Sequence, residues 1–156
     1  MILLLKIILV IVVTILAILL IRTSQIRWTS DQTDFARGTA TELPDGLYAG
    51  SAAGPPVSWK GKKFGKANQV GINEFITPDG TLEEKYPFVT SVGPGAHDSI
   101  PVIRIDYNLS ANPLWLRPVL DEIVEVAPGE YLGKLQLRII PGYPFTLTFF
   151  RLKEAA

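Results

Sequence analysis

The chain has 156 residues, 47% of them apolar, with 15 basic and 15 acidic side chains and no cysteine. Zero net charge removes the electrostatic case for nucleic acid. The lack of Cys removes disulfides, thiol catalysis and Cys-ligated metals, and the length supports one domain with a core of its own.

Residues 1–21, MILLLKIILVIVVTILAILLI, hold one charged side chain, Lys6. A helix rises about 1.5 Å per residue, so roughly 20 apolar residues cross a hydrocarbon core of about 30 Å. Lys6 can snorkel to the nearer interface. The run ends in Leu19-Leu20-Ile21-Arg22 without an A-x-A cleavage pattern, and it is apolar all round rather than amphipathic. It therefore reads as an uncleaved, single-pass signal anchor, with the lipid bilayer as its partner. The short N-terminal tail favours an extracytoplasmic (periplasmic-side) domain. Residues 22–43 are polar and read as a juxtamembrane linker. Within it, either Trp28 and Arg22 sit at the lipid interface, or Trp28 and Phe35 pack back on the domain.

From residue 44 to 156 the character changes. Pro44-Asp45-Gly46, Gly54-Pro55-Pro56, Pro78-Asp79-Gly80, Gly93-Pro94-Gly95, Pro128-Gly129 and Pro141-Gly142 are turn signals, because Pro fixes φ and Gly supplies φ > 0. Short alternating runs lie between them. Ile103, Ile105 and Tyr107 oppose Arg104 and Asp106. Val124 and Val126 oppose Glu125. Leu135, Leu137 and Ile139 oppose Lys134, Gln136 and Arg138. Phe145, Leu147 and Phe149 oppose Thr146 and Thr148. These predict strands over 102–107, 123–126, 132–139 and 145–149, with further strands over 46–52, 59–64, 69–76 and 86–92. Asn112 to Leu120, with two prolines, predicts an irregular corner carrying Trp115 inward. About eight sequential strands predict an all-β fold, an antiparallel barrel closed on itself, whose interior is either filled or holds one small ligand.

Four segments carry a family resemblance: Trp59-Lys60-Gly61-Lys62-Lys63-Phe64, Leu120 to Val126, Tyr131-Leu132-Gly133-Lys134, and Pro144 to Leu152. Across most of residues 44–153 the chain resembles small bacterial proteins with a lipocalin-like (calycin-type) β-barrel, including the uncharacterised GxWxG-type group. Val57 stands where that group has its first Gly. The resemblance implies a barrel that binds an apolar or amphipathic, lipid-like molecule, and it carries over no catalytic residues. The expected ligand-lining residues are Tyr48, Trp59, Phe75, Phe88, Tyr107, Trp115, Leu135, Leu137, Phe145 and Phe149. The alternative is a filled barrel that serves as a non-catalytic accessory subunit of a membrane complex.

No catalytic constellation is legible, and an enzyme ranks last. His97 is the only histidine, and its neighbours Asp98 and Ser99 are adjacent in sequence rather than gathered from distant segments, so it reads as a solvated loop residue. No metal or cofactor motif is present. Asp121 and Glu122 point to opposite faces of a strand. Glu122 shares the parity of Val124 and Val126, taken as inward, but is expected at a wet rim. Lys60, Lys62, Lys63 and Lys66, flanked by Trp59 and Phe64, are candidates for contact with anionic lipid headgroups. Gly46, Gly50, Gly54, Gly61, Gly65 and Gly71 read as bends, bulges or close approaches at barrel corners.

Overall fold

The computed structural model describes residues 1–52 and 58–155; the Gly54-Pro55-Pro56 turn and Val57 lie outside the described residues. Eight strands follow in chain order: β1 (Gly46–Ala52), β2 (Trp59–Gly65), β3 (Val70–Ile76), β4 (Leu82–Pro94), β5 (Pro101–Asp106), β6 (Val119–Ala127), β7 (Glu130–Ile140) and β8 (Tyr143–Glu154). Each pairs antiparallel with the next. β8 returns to β1 from Tyr48↔Glu154 to Ala52↔Phe150, so the sheet closes without a free edge. This is the all-β antiparallel barrel that the alternation predicts. β4 begins at Leu82, earlier than expected, because its first residues extend the β3–β4 hairpin beyond the barrel. There both faces are largely exposed and no alternation marks them.

Odd-numbered strands run toward one end of the barrel, here termed the mouth. There the connections 77–81, 107–118 and Pro141–Gly142 lie. The opposite end is packed shut by Tyr48, Phe64, Phe88, Tyr131, Ile123 and Leu152, with edge-to-face rings at 5.5 Å (Tyr48–Phe64), 5.4 Å (Tyr48–Tyr131) and 5.3 Å (Phe64–Phe88). Three rings lie directly on glycines: a Cβ at Gly71 would stand 2.2 Å from Phe88, one at Gly133 would stand 2.2 Å from Phe150, and one at Gly50 would stand 2.4 Å from Trp59.

Two helices precede the barrel, α1 (Ile2–Ile26) and α2 (Ser30–Phe35). α1 is long and apolar enough to cross a membrane. Residues 22–43 are not an extended linker. Arg22 to Ile26 continue α1, Thr29 caps α2 by accepting from Gln32 N–H at 3.2 Å, and both elements dock on the outside of the barrel. Ile26 and Phe35 complete a second core with Val102, Val124, Leu132 and Phe149. Leu16, Leu19, Thr23 and Ile26 form one stripe at helical spacing, the first two half-buried and the last two buried. Arg22 Nε donates to Leu147 O at 2.9 Å, Thr146 N–H donates to Thr23 Oγ1 at 3.0 Å, and Arg151 pairs with Asp31 at 2.6 Å. Phe35 packs back on the domain, whereas Trp28 is exposed. The β4–β5 connection, 95–100, folds over the same outer face, where Ala96 N–H donates to Glu122 at 2.8 Å.

Candidate functional site

The mouth half of the barrel is not filled. It holds an open cavity of about 460 Å³ lined by Trp59, Phe75, Tyr86, Trp115, Leu116, Val119, Leu135 and Phe150, with Ala52 and Thr148 on the wall and Lys62, Asn73, Tyr107 and Asp121 at its polar patch. Three bulges aim these side chains. The register shift between Trp59 and Gly61 switches the parity of β2, so Trp59 and Lys62 both face inward although three residues apart. Gly61 makes that bulge possible: its φ is +152°, and a Cβ would meet Tyr48 O at 2.0 Å. A second bulge sets Tyr86 and Pro87 against Ile72, and Tyr86 takes φ +61°. Its ring then meets Phe75 at 5.5 Å and Trp115 at 5.6 Å, an aromatic arc across the mouth. A third shift leaves Leu147 without a register partner, so that Thr148 faces the cavity and Thr146 the outer core.

The polar patch is buried and almost saturated. Lys62 Nζ donates to Asp121 Oδ2 at 3.0 Å, to Asn73 Oδ1 at 2.9 Å and to the Tyr107 hydroxyl. Its charge also sits 5.1–5.5 Å from the ring centres of Tyr107, Phe88, Phe150 and Trp59. Trp59 Nε1 donates to Asn73 Oδ1 at 3.1 Å, and Tyr107 donates to Asp121 Oδ2 at 3.2 Å. Burial pushes the Lys62 ammonium below its ordinary value and the Asp121 carboxyl above its own, each opposed by the attraction of the other. Tyr107 is held well above the usual phenol range, first by burial and then by the Asp121 charge. One acceptor has no partner: Asp121 Oδ1. Asp121 borders the cavity, and its unpartnered carboxylate oxygen, which itself has almost no exposed surface, favours a hydrogen-bond donor brought to it.

A second polar cluster lies outside the barrel, in a groove of about 280 Å³ between α1, α2, the 95–100 connection and β7–β8. Lys134 pairs with Asp98 and sits 4.0 Å from the centre of the Phe35 ring; Gln32 Nε2 donates to Asp98 at 2.6 Å. Glu122 accepts from Ala96 N–H and, at 3.3 Å, from Gln136 Nε2, and its carboxyl is pushed up by burial. His97 meets Pro144 O at 2.6 Å through Nε2 and is half-buried rather than solvated. Asp98 is committed to Lys134, and Ser99 is exposed, so the three do not form a nucleophilic triad. Among the described residues, no group of three or more His, Cys, Asp or Glu is gathered where it could hold a metal ion.

Of the ten residues expected to line a ligand site, Trp59, Phe75, Tyr107, Trp115 and Leu135 border the cavity. Trp115 does so from the rim, mostly exposed, not as an inward plug. Tyr48 and Phe88 belong to the packed closed end. Phe145 is buried with its ring 5.4 Å from Tyr143, and Leu137 is its register partner; neither borders the cavity. Phe149 lies in the outer core with its ring 6.3 Å from Phe35, because the skip at Leu147 reverses the parity that the bare alternation implies. Of the four lysines, Lys60 and Lys63 are exposed, Lys66 pairs with Glu42 at 2.6 Å, and Lys62 is inside the barrel rather than at a membrane surface. Glu122 is neither inward nor at a wet rim; it lies beneath the outer cover. Asp121 and Tyr86 border the cavity although alternation misses them. The parity shared by Asp121 and Ile123 was their one legible signal for β6, but both faces of that strand are apolar and the choice of inner face stays open.

No protein-family profile matches the chain, and no curated protein sequence matches it. Among solved structures, the chain is similar to the crystal structure of a protein from Thermomonospora curvata, with a TM-score of 0.56 and 14% identity over 78% of this chain and 83% of that one. That likeness concerns the fold alone.

Proposed function

We propose that this is a membrane-tethered barrel, of lipocalin-like type, that holds one apolar or amphipathic small molecule. The observation that carries the reading is the open, aromatic-lined cavity of about 460 Å³ with a single unfilled acceptor, Asp121 Oδ1, at its polar patch. Pockets for such ligands are mostly apolar, with a few polar groups that fix orientation, and span roughly 300–1,000 Å³. Lys62 spends all three of its N–H bonds on protein acceptors, so it offers nothing further to a ligand carboxylate. The ligand head is therefore a donor, a hydroxyl or an amine, and the body is hydrocarbon. α1 serves as the single-pass anchor, with the barrel on the extracytoplasmic side.

The test uses the full chain in detergent, because the outer core needs residues 22–35. Native mass spectrometry after mild purification is expected to show a discrete apolar adduct that organic extraction releases. Dodecanol is expected to displace it and dodecanoate is not. Leu135→Trp, which fills the cavity wall, is expected to weaken dodecanol binding at least tenfold without unfolding the barrel. A clean apo mass with no uptake of either probe sinks the proposal.

A further inference from the structure

We infer that the barrel mouth is pressed into the bilayer, so that its apolar rim contacts lipid and the cavity opens onto the membrane rather than onto water. The inference rests on the proposal that α1 is the anchor, but not on the identity of any ligand.

The relative direction of α1 and β8 carries it. Within α1, Thr23 meets Thr146 near the mouth end of β8, and Ile26, one turn later, shares a core with Phe149, Val102 and Val124 nearer the closed end. The chain then reaches Thr39, which bridges to Glu125 near the closed end. α1 thus runs beside β8 in the same sense, away from the mouth, and its N-terminal part projects past the mouth. From Thr146 back to the hairpin tip at Gly142 is about 13 Å of strand. The same length of helix, counted back from Thr23, ends near residue 14 at about 1.5 Å per residue. That agrees with the buried stripe, whose first member is Leu16.

Ile2–Ile15 rises only about 21 Å, whereas a hydrocarbon core is about 30 Å thick. The apolar run reaches that thickness only by including Leu16 to Ile21, the part lying beside the barrel wall. With the helix upright, the wall near the mouth then sinks by about 9 Å, the depth at which interfacial segments lie. The rim suits that position. Leu114 and Trp115 on the β5–β6 corner are 76% and 65% exposed, Ile139 and Ile140 of β7 are exposed beside them, and Leu82 projects at the same end. Lys60, exposed at the mouth end of β2, reaches headgroup level. The closed end carries the ion pairs Lys66–Glu42 and Lys153–Glu130, whereas the mouth's own pairs, Lys85–Glu83 on the projecting β3–β4 hairpin and Arg138–Asp106, are the charged parts of that end and meet headgroups rather than hydrocarbon.

The natural absence of Cys makes the test direct. Full-length Leu114→Cys, Ile140→Cys and, at the closed end, Ala127→Cys are nitroxide-labelled and reconstituted in phosphatidylcholine–phosphatidylglycerol vesicles. Collision with oxygen is compared with collision with a water-soluble nickel chelate. The expected result is an oxygen-to-nickel ratio several-fold higher at both rim positions than at residue 127, falling toward the closed-end value at 140 when Leu114→Glu and Trp115→Glu are added. Equal ratios at all three positions overturn the inference, even if the chain still carries an apolar adduct. Immersed rim labels on a chain that takes up no ligand uphold it and sink the carrier reading alone.

Discussion

At residue scale, the barrel interior depends on contacts that tolerate little change. Gly133 lies under the Phe150 ring, so Gly133→Ala should overpack the wall and cost about 1–3 kcal/mol, read as a shift of the denaturant midpoint of the full chain. The buried Lys62–Asp121 pair predicts an asymmetry. Lys62→Met strands a carboxylate and should destabilise by about 3–5 kcal/mol, while adding Asp121→Leu should restore most of that loss. Glu122 gives a pH signature. Burial raises its carboxyl above the ordinary value, so folding favours the protonated form, and wild-type stability declines as pH rises from the ordinary Glu range through the raised one. Glu122→Gln removes that slope and offers an amide to the unpartnered Gln136 Oε1. Its melting temperature relative to wild type should therefore increase between acid and neutral pH; a constant difference would refute the assignment.

At the scale of elements, the two short helical pieces before the barrel are structural parts of it. Phe35→Ala empties the centre of the outer core and should cost about 3–5 kcal/mol, with faster proteolysis between α2 and β1. Strand positions were legible because β5, β7 and β8 alternate cleanly between prolines and glycines. What lay on each face was less so. A polar residue on the outward parity, such as Lys134 or Gln136, looks solvated in sequence, yet Lys134 is buried against Phe35, in a segment that a polar composition had marked as linker, and Gln136 against Glu122. Bulges hid the rest. A single extra residue after Trp59 turned Lys62 inward, and the skip at Leu147 turned Phe149 outward. Alternation counts residues, and it has no means of seeing where the count slips. Half of the expected lining residues still reached the cavity, because Trp59, Phe75, Tyr107 and Leu135 fall between slips.

For the whole molecule, the N-terminal helices and the barrel form one unit, and separating them should show it. A chain beginning at residue 44 leaves Val102, Val124, Leu132 and Phe149 uncovered. It should bind an apolar dye and self-associate, whereas a chain beginning at residue 22 should stay monomeric by light scattering. β8 both closes the barrel against β1 and carries the docking surface for α1, and the two partners of the Arg22–Leu147 bond are 125 residues apart. During synthesis, α1 emerges long before the strand it grips exists. Until β8 is made, seven strands form a sheet with two raw edges. Completion of that one strand seals the seam and supplies the docking surface for α1 together. Docking of α1 and closure of the barrel are in this chain the same step.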